Sequence, residues 1–242
     1  MQFRISNLEF RIPMSHPLFW LARKSDDVPE NNDWLSDAER DTLAGFRFPK
    51  RRNDWRLGRW TAKQAVCAYQ SLKRSDLASL EIRAAGDGVP EAFSNGTARE
   101  VSISISHSSG QGFCVVGPPE LSVGCDTEMI QPHEVQFFQD YFTAGEISLL
   151  QHSPADRSLV AYLIWCAKES ALKALREGLR LDTRSIAIVP DFEQQDGLWH
   201  TWTGLCQDSP RTFRGWWRSQ DGFIYAMTAD QPTSSPVKLS TD

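Results

Sequence analysis

Apolar and hydroxyl residues alternate along Val101-Ser102-Ile103-Ser104-Ile105-Ser106, which predicts a strand with one face buried. Gly112–Val116 is a short, continuously apolar strand candidate. Leu121–Glu128 starts as a strand and ends in acids. Nearer the C-terminus, Leu198–Thr203, Thr212–Arg218 and Phe223–Ala229 have strand character, and Gln220-Asp221-Gly222 supplies a hairpin turn between the last two. The longest helical pattern is Ser158–Arg176, with Gly178 at the stop position. Lys24–Asn32 is polar and reads as a loop. Residues 231–242, rich in Pro, Ser and Thr, are expected to be disordered.

Two stretches echo each other. Ser36-Asp37-Ala38-Glu39 and Thr143-Ala144-Gly145-Glu146 are both capping boxes, in which a hydroxyl and a carboxylate satisfy the first helical N–H groups. A helical pattern follows each, and within it a Trp precedes a Lys by eight positions: Trp55 and Lys63 in WRLGRWTAK, Trp165 and Lys173 in WCAKESALK. This predicts two lobes of similar topology with a site between them. The boundary is placed at Gly117–Glu120, giving lobes 1–117 and 118–230 and a tail 231–242.

Composition adds limits. The 242 residues are 40% hydrophobic and 24% charged, as in a soluble globular chain. A net charge of −5 argues against general attraction to nucleic acid or an anionic membrane. The run Lys50, Arg51, Arg52, Arg56, Arg59 is locally basic, suited to phosphates or an acidic protein surface. The five cysteines form no CxxC pair and are expected to be reduced core residues. With no signal-peptide pattern and no long apolar run, a cytoplasmic monomer is expected.

The candidate chemistry starts at Asp126 and Glu128. Their i,i+2 spacing on a strand places both carboxylates on one face, where they repel unless a cation lies between them. Alone, such a pair is an ordinary solvated strand end. Glu169 and Lys173, i,i+4 neighbours on a mostly apolar helix, are by themselves a surface ion pair. A third carboxylate beside the acid pair would complete a hard oxygen-donor site that favours Mg²⁺ over Zn²⁺ and suits phosphoryl chemistry. His107, between Ser106 and Ser108 at a strand end, would suit a structural hydrogen bond or a phosphate contact. No P-loop or GxGxxG is present.

In order along the chain, these segments resemble the 4′-phosphopantetheinyl transferases of the two-lobed type related to surfactin-synthetase activators. LSDAERDTLAGFRFPKRRNDWRLGRWTAK is similar to the family's first-lobe helix pair, GDGVP to its G-K-P turn, and ISISHS to its N-I-S-H-S strand. SVGCDTE is similar to G-I-D-I-E, FTAGEISLL to the F-x-x-x-E helix start, and WCAKESALKALREGL to W-x-x-K-E-x-x-x-K. The resemblance implies an α+β fold of two lobes related by pseudo-two-fold symmetry, each a small, mainly antiparallel sheet packed with helices. Coenzyme A would lie in the cleft, and an apo acyl or peptidyl carrier protein would be the partner. It implies Asp126, Glu128 and Glu169 as Mg²⁺ ligands, with Glu169 also the base. Lys173 would lie near the pyrophosphate, Ser106 and His107 on the phosphates, and the turn Gly88-Val89-Pro90 beside adenine.

Val89 stands where the family often has a lysine for the 3′-phosphate, so other cations are needed, and Arg56, Arg83 and Lys63 are candidates. A non-catalytic carrier-protein or nucleotide-binding module would lack a metal acid, and all three are present. A nucleic-acid reading of KRRNDWRLGR predicts salt-sensitive binding, against which the acidic net charge argues.

Overall fold

The serine-alternating strand lies at a sheet edge, between two structural halves. The structure is a computed structural model and describes residues 16–132, 138–153, 155–176, 181–196 and 198–241. Gly178 lies outside the described residues. The elements run β1 (Pro17–Lys24), α1 (Asp37–Ala44), α2 (Pro49–Tyr69), β2 (Leu80–Ala84), β3 (Pro90–Ser94), β4 (Thr97–Ala98), β5 (Ser102–Ser108) and β6 (Gln111–Gly117). There follow β7 (Val123–Met129), α3 (Ala144–His152), α4 (Arg157–Ala174), β8 (Ile186–Asp196), β9 (Trp199–Cys206), β10 (Thr212–Gln220), β11 (Phe223–Ala229) and β12 (Ser234–Lys238).

The fold is α+β. One sheet has the order β12-β1-β6-β5, a second the order β7-β11-β10-β9-β8, and β2-β3-β4 form a small third sheet. All strand pairs are antiparallel except β1 with β12. Three apolar clusters hold the layers. Trp60, Ala62 and Val66 belong to the α2 side of the first sheet, and Leu163, Ala167 and Leu172 of α4 pack on the second. Trp20, Phe113, Val115, Cys125, Trp199 and Tyr225 fill the space between the two sheets. Strand β6 therefore has cover on both faces and is buried at every position, which is why its sequence is continuously apolar from Gly112 to Val116.

The tail corrects an expectation. Ser234–Lys238, expected to be disordered, forms β12 and pairs in parallel with β1. The backbone N–H of Leu239 donates to the Trp20 carbonyl (2.9 Å), and Arg23 donates to the Thr241 hydroxyl. The β1 edge supplies backbone partners that composition does not reveal. Pro236 is tolerated because β12 is itself an edge.

The internal echo has a different register from the one expected. In the first half, Ser36 caps α1 and Glu39 closes the box. Glu39 Oε2 meets Lys63 Nζ at 2.5 Å, and its Oε1 accepts the Ile82 N–H at 3.0 Å. In the second half, Thr143 caps α3 and Glu146 closes the box. Glu146 Oε2 meets Lys168 Nζ at 2.9 Å, and its Oε1 accepts the Ile188 N–H at 2.7 Å. Lys63 thus corresponds to Lys168, not to Lys173, and Trp60 rather than Trp55 corresponds to Trp165. The shared signature is WTAK and WCAK. Trp60 packs edge-on against Trp34, and Trp165 against Tyr141, each partner lying two residues before its helix cap.

Candidate active site

Where the edge strand β5 meets β7, hydroxyls of one face acids of the other. Ser104 Oγ accepts the Cys125 N–H (2.9 Å), Ser106 Oγ donates to Asp126 Oδ1 (2.7 Å), and Ser108 Oγ donates to Glu128 Oε2 (2.5 Å). The alternation that sends Ile103 into the core sends these hydroxyls across the seam between the sheets.

Helix α4 brings the remaining groups. A side chain at Gly124 would place its Cβ 1.8 Å from the Ser170 carbonyl oxygen, so only glycine lets α4 lie this close to β7. Lys173 Nζ then reaches Asp126 Oδ1 and the Cys125 carbonyl, both at 2.9 Å. Burial acts to lower the Lys173 pKa, but Asp126, Cys125 and Glu169 outweigh it and hold the ammonium charged well above its ordinary range. Burial, then the Asp126 and Glu128 charges, raises the Glu169 pKa against the pull of Lys173. Glu128 is raised too, chiefly by burial and by Asp126, although the Ser108 hydrogen bond and Lys173 oppose this.

Two oxygens in this cluster, Asp126 Oδ2 and Glu169 Oε1, are buried with no hydrogen-bond partner among the described residues. Unpaired buried carboxylate oxygens are costly and mark a place for a cation or donor. Hard oxygen donors fit Mg²⁺. Among the described residues no three acids, histidines or cysteines gather into a ready metal cage. Mg²⁺ does not need one, since it commonly keeps its waters and takes one or two carboxylates plus substrate phosphates.

A cavity of about 440 Å³ opens on the cluster, lined by Trp55, Gly58, Arg59, Pro90, Ser106, His107, Asp126, Glu128 and Lys173, among others. Gly88 also lines it, and Val89 lines the adjoining hollows. The 85–90 turn thus faces Lys173 across the opening. His107 is solvent-reachable, yet its ring lies against α2. Desolvation there lowers its pKa, with Asp54 opposing and Lys173 adding to the effect. A larger hollow of about 520 Å³ lies elsewhere, between β12 and the β9–β10 face, and holds none of these groups.

Of the expected 3′-phosphate cations, none lines the cleft. Arg56 donates to the backbone carbonyls of Pro29, Glu30 and Asn31. Arg83 is held by Glu81 in two hydrogen bonds of 2.9 Å and lies over Phe93. Lys63 is fully buried against Glu39 and the Trp34 carbonyl. Besides Lys173, the cation lining the cavity among the described residues is Arg59. It lies over the Trp55 ring at 4.9 Å, and its buried Nε has no hydrogen-bond partner among the described residues but stands 4.0 Å from Glu39 Oε1. Its place one turn after Trp55, four positions on along the same helix face, was the available signal.

The cleft is lined by Asp126, Glu128, Lys173, Arg59 and Ser106, with the Glu169 carboxylate electrostatically coupled to the two acids, an arrangement with the charges to take a phosphate group and a cation. Residues 122–212 match the sequence model of the 4′-phosphopantetheinyl transferase superfamily. The matched stretch runs from the approach to β7 to the start of β10 and carries Asp126, Glu128, Glu169 and Lys173. No curated protein matches the chain. Among the described residues, no helix is long and apolar enough to cross a membrane.

Proposed function

We propose that this chain transfers the 4′-phosphopantetheine arm of coenzyme A to a serine hydroxyl of an apo acyl or peptidyl carrier protein. The observation that carries this reading is the cluster of Asp126, Glu128 and Glu169, with two unsatisfied buried oxygens, inside the superfamily match. Asp126, Glu128 and Glu169 would hold Mg²⁺, which when bound offsets the charge of the pyrophosphate.

Glu169, whose raised pKa suits a proton acceptor, takes the proton of the carrier serine. The serine oxygen bonds to the β-phosphorus, the bond to the bridging oxygen breaks, and 3′,5′-ADP leaves. Lys173, held charged, offsets the negative charge that builds on the leaving group. Ser106 fixes the Asp126 carboxylate, and Ser106 and His107 at the cavity wall meet the phosphates. Arg59, rather than Arg56, Arg83 or Lys63, is the cation placed to meet the 3′-phosphate. The turn Gly88-Val89-Pro90 borders the adenine. The reaction needs no membrane or nucleic acid, and we place it in the cytoplasm in a monomer.

The test is mass spectrometry of a panel of apo carrier proteins after incubation with coenzyme A and Mg²⁺. Gain of one phosphopantetheine on the carrier serine, lost on chelation of the metal and in Asp126→Ala, is the expected result. An unmodified panel would overturn the reading.

A further inference from the structure

One contact crosses the mouth of the cleft outside the acid cluster. Arg176 Nε lies 3.0 Å from Asp87 Oδ2, joining residues 89 positions apart. Asp87 sits in the turn that leads to β3, and its Oδ1 accepts the Val89 N–H at 3.2 Å. Arg176 follows the C-cap of α4, the helix that carries Glu169 and Lys173. Both line a hollow of about 180 Å³ with Gly88, Val89, Pro90 and Lys173. Gly88, Pro90 and Lys173 line the active-site cavity too.

The backbone of Arg176 supplies a separate indication. Its φ is +61°, the left-handed region where glycine is the usual residue just past a helix end. An arginine there costs stability relative to glycine. Its side chain is about half exposed, so core packing does not explain the choice. Strain retained at one position points to a use for that side chain.

We infer that Arg176 and Asp87 are positioning residues, a latch that ties the 85–90 turn to the end of α4 and so fixes the width of the cleft for the nucleotide end of the ligand. This rests on the coenzyme A reading for the identity of the ligand, but not for the existence of the latch. The geometry favours a binding role over a chemical one, because the pair touches none of the three acids.

The test uses the full chain and two variants. Arg176→Gly removes the ion pair and relieves the left-handed strain. Asp87→Asn keeps an acceptor for the Val89 N–H and removes only the charge. In both, the dissociation constant of coenzyme A by calorimetry and its KM should rise about threefold to fivefold, the scale of a half-exposed pair, with kcat within twofold. The double variant should be no weaker than either single one. The Arg176→Gly protein should melt no lower than wild type, whereas a merely structural pair predicts a lower melting point and unchanged binding. Amide hydrogen exchange at residues 85–90 in ligand-free protein, expected to quicken in both variants, reads the latch independently of any ligand. Unchanged exchange overturns the latch even if transfer is confirmed. Quickened exchange with no coenzyme A binding by wild type leaves the latch standing and overturns the functional reading. Coenzyme A binding at wild-type strength in either variant overturns the positioning role.

Discussion

Both halves of the molecule contain the same buried device and put it to different ends. In each, a glutamate at the third position of a short helix closes its own cap, meets a lysine of the following long helix, and accepts a backbone N–H from the next strand. The chemistry lies one position further on. After Lys63 comes Gln64, which accepts a hydrogen bond from Arg23 Nε at 2.9 Å. After Lys168 comes Glu169, half-buried, with one carboxylate oxygen fully buried and its charge coupled to that of Asp126. The strand that opens the second half carries Asp126 and Glu128, whereas β1 carries no carboxylate. The framework is present twice, and the acids lie in one copy only.

The largest expected effect tests the framework. Lys63→Met or Lys168→Met would each take the nearest cation from a buried glutamate, although Glu39 keeps Arg59 Nε at 4.0 Å, and loss of one partner of a buried pair costs about 3–5 kcal/mol. If the two devices are equivalent, urea unfolding should show similar losses. A loss under about 1 kcal/mol in either half, well short of that figure, would break the equivalence.

Next in size is Glu169→Gln, which gives the second half the amide of the first. Transfer should fall by roughly 10²-fold or more, as for removal of a positioned base. Stability should hold or rise, because burial disfavours the Glu169 charge. Gln64→Glu should gain no transfer, since no acid pair faces it. Near wild-type transfer by Glu169→Gln, measured by mass spectrometry of the carrier, would remove that residue from the site.

A smaller effect is expected at Arg59, the contribution of the first half to the cleft. Arg59→Met keeps the stem over Trp55 and removes the charge. Loss of a charge-assisted contact to phosphate should weaken coenzyme A about tenfold and dephospho-coenzyme A much less. Equal weakening of both ligands in calorimetry would take Arg59 off the 3′-phosphate.

The second half was more legible in sequence than the first. Asp126, Glu128, Glu169 and Lys173 lie in short motifs whose spacing matches one strand face and one helix face; Asp126, Glu128 and Lys173 line one cavity, and Glu169 is coupled to them by charge. The serine ladder was visible as alternation, though not its partner, because pairing across two sheets leaves no local pattern. The 3′-phosphate candidates failed for a different reason. Lys63 reads as a free cation until the partner 24 positions back, Glu39, is seen to bury it. Arg56 likewise satisfies carbonyls 25–27 positions back, and Arg83 the carboxylate of Glu81 two positions back. β12 is hidden in sequence because a strand pinned by another edge needs no apolar pattern of its own, and the register of the repeat is hidden because a Trp-to-Lys spacing of eight occurs in both helices, whereas the buried partners Glu39 and Glu146 that single out Lys63 and Lys168 lie far back in the chain.

The smallest expected effect concerns how the two long helices begin. Asp156 caps α4, its side chain accepting the Leu159 N–H at 3.0 Å. Helix α2 has Phe48 at the N-cap with no side-chain hydrogen bond, and no acid in its first turn. Lys50, Arg51 and Arg52 stand there instead, opposed to the positive end of the helix dipole. Phe48 is 70% exposed, so replacing it forfeits little burial. Phe48→Asp would supply both a cap acceptor and a negative charge, worth about 1 kcal/mol. For a chain of this size that corresponds to a melting point roughly 2–4 °C higher. The charge part of the gain should shrink as salt rises, and the capping part should remain. A lower melting point would mean that Phe48 makes a stabilising contact in the folded chain and that the two helix starts are equally well provided for. A gain in stability joined to a higher KM for the carrier protein, with that for coenzyme A unchanged, would show that the first half keeps this poor helix start for its partner.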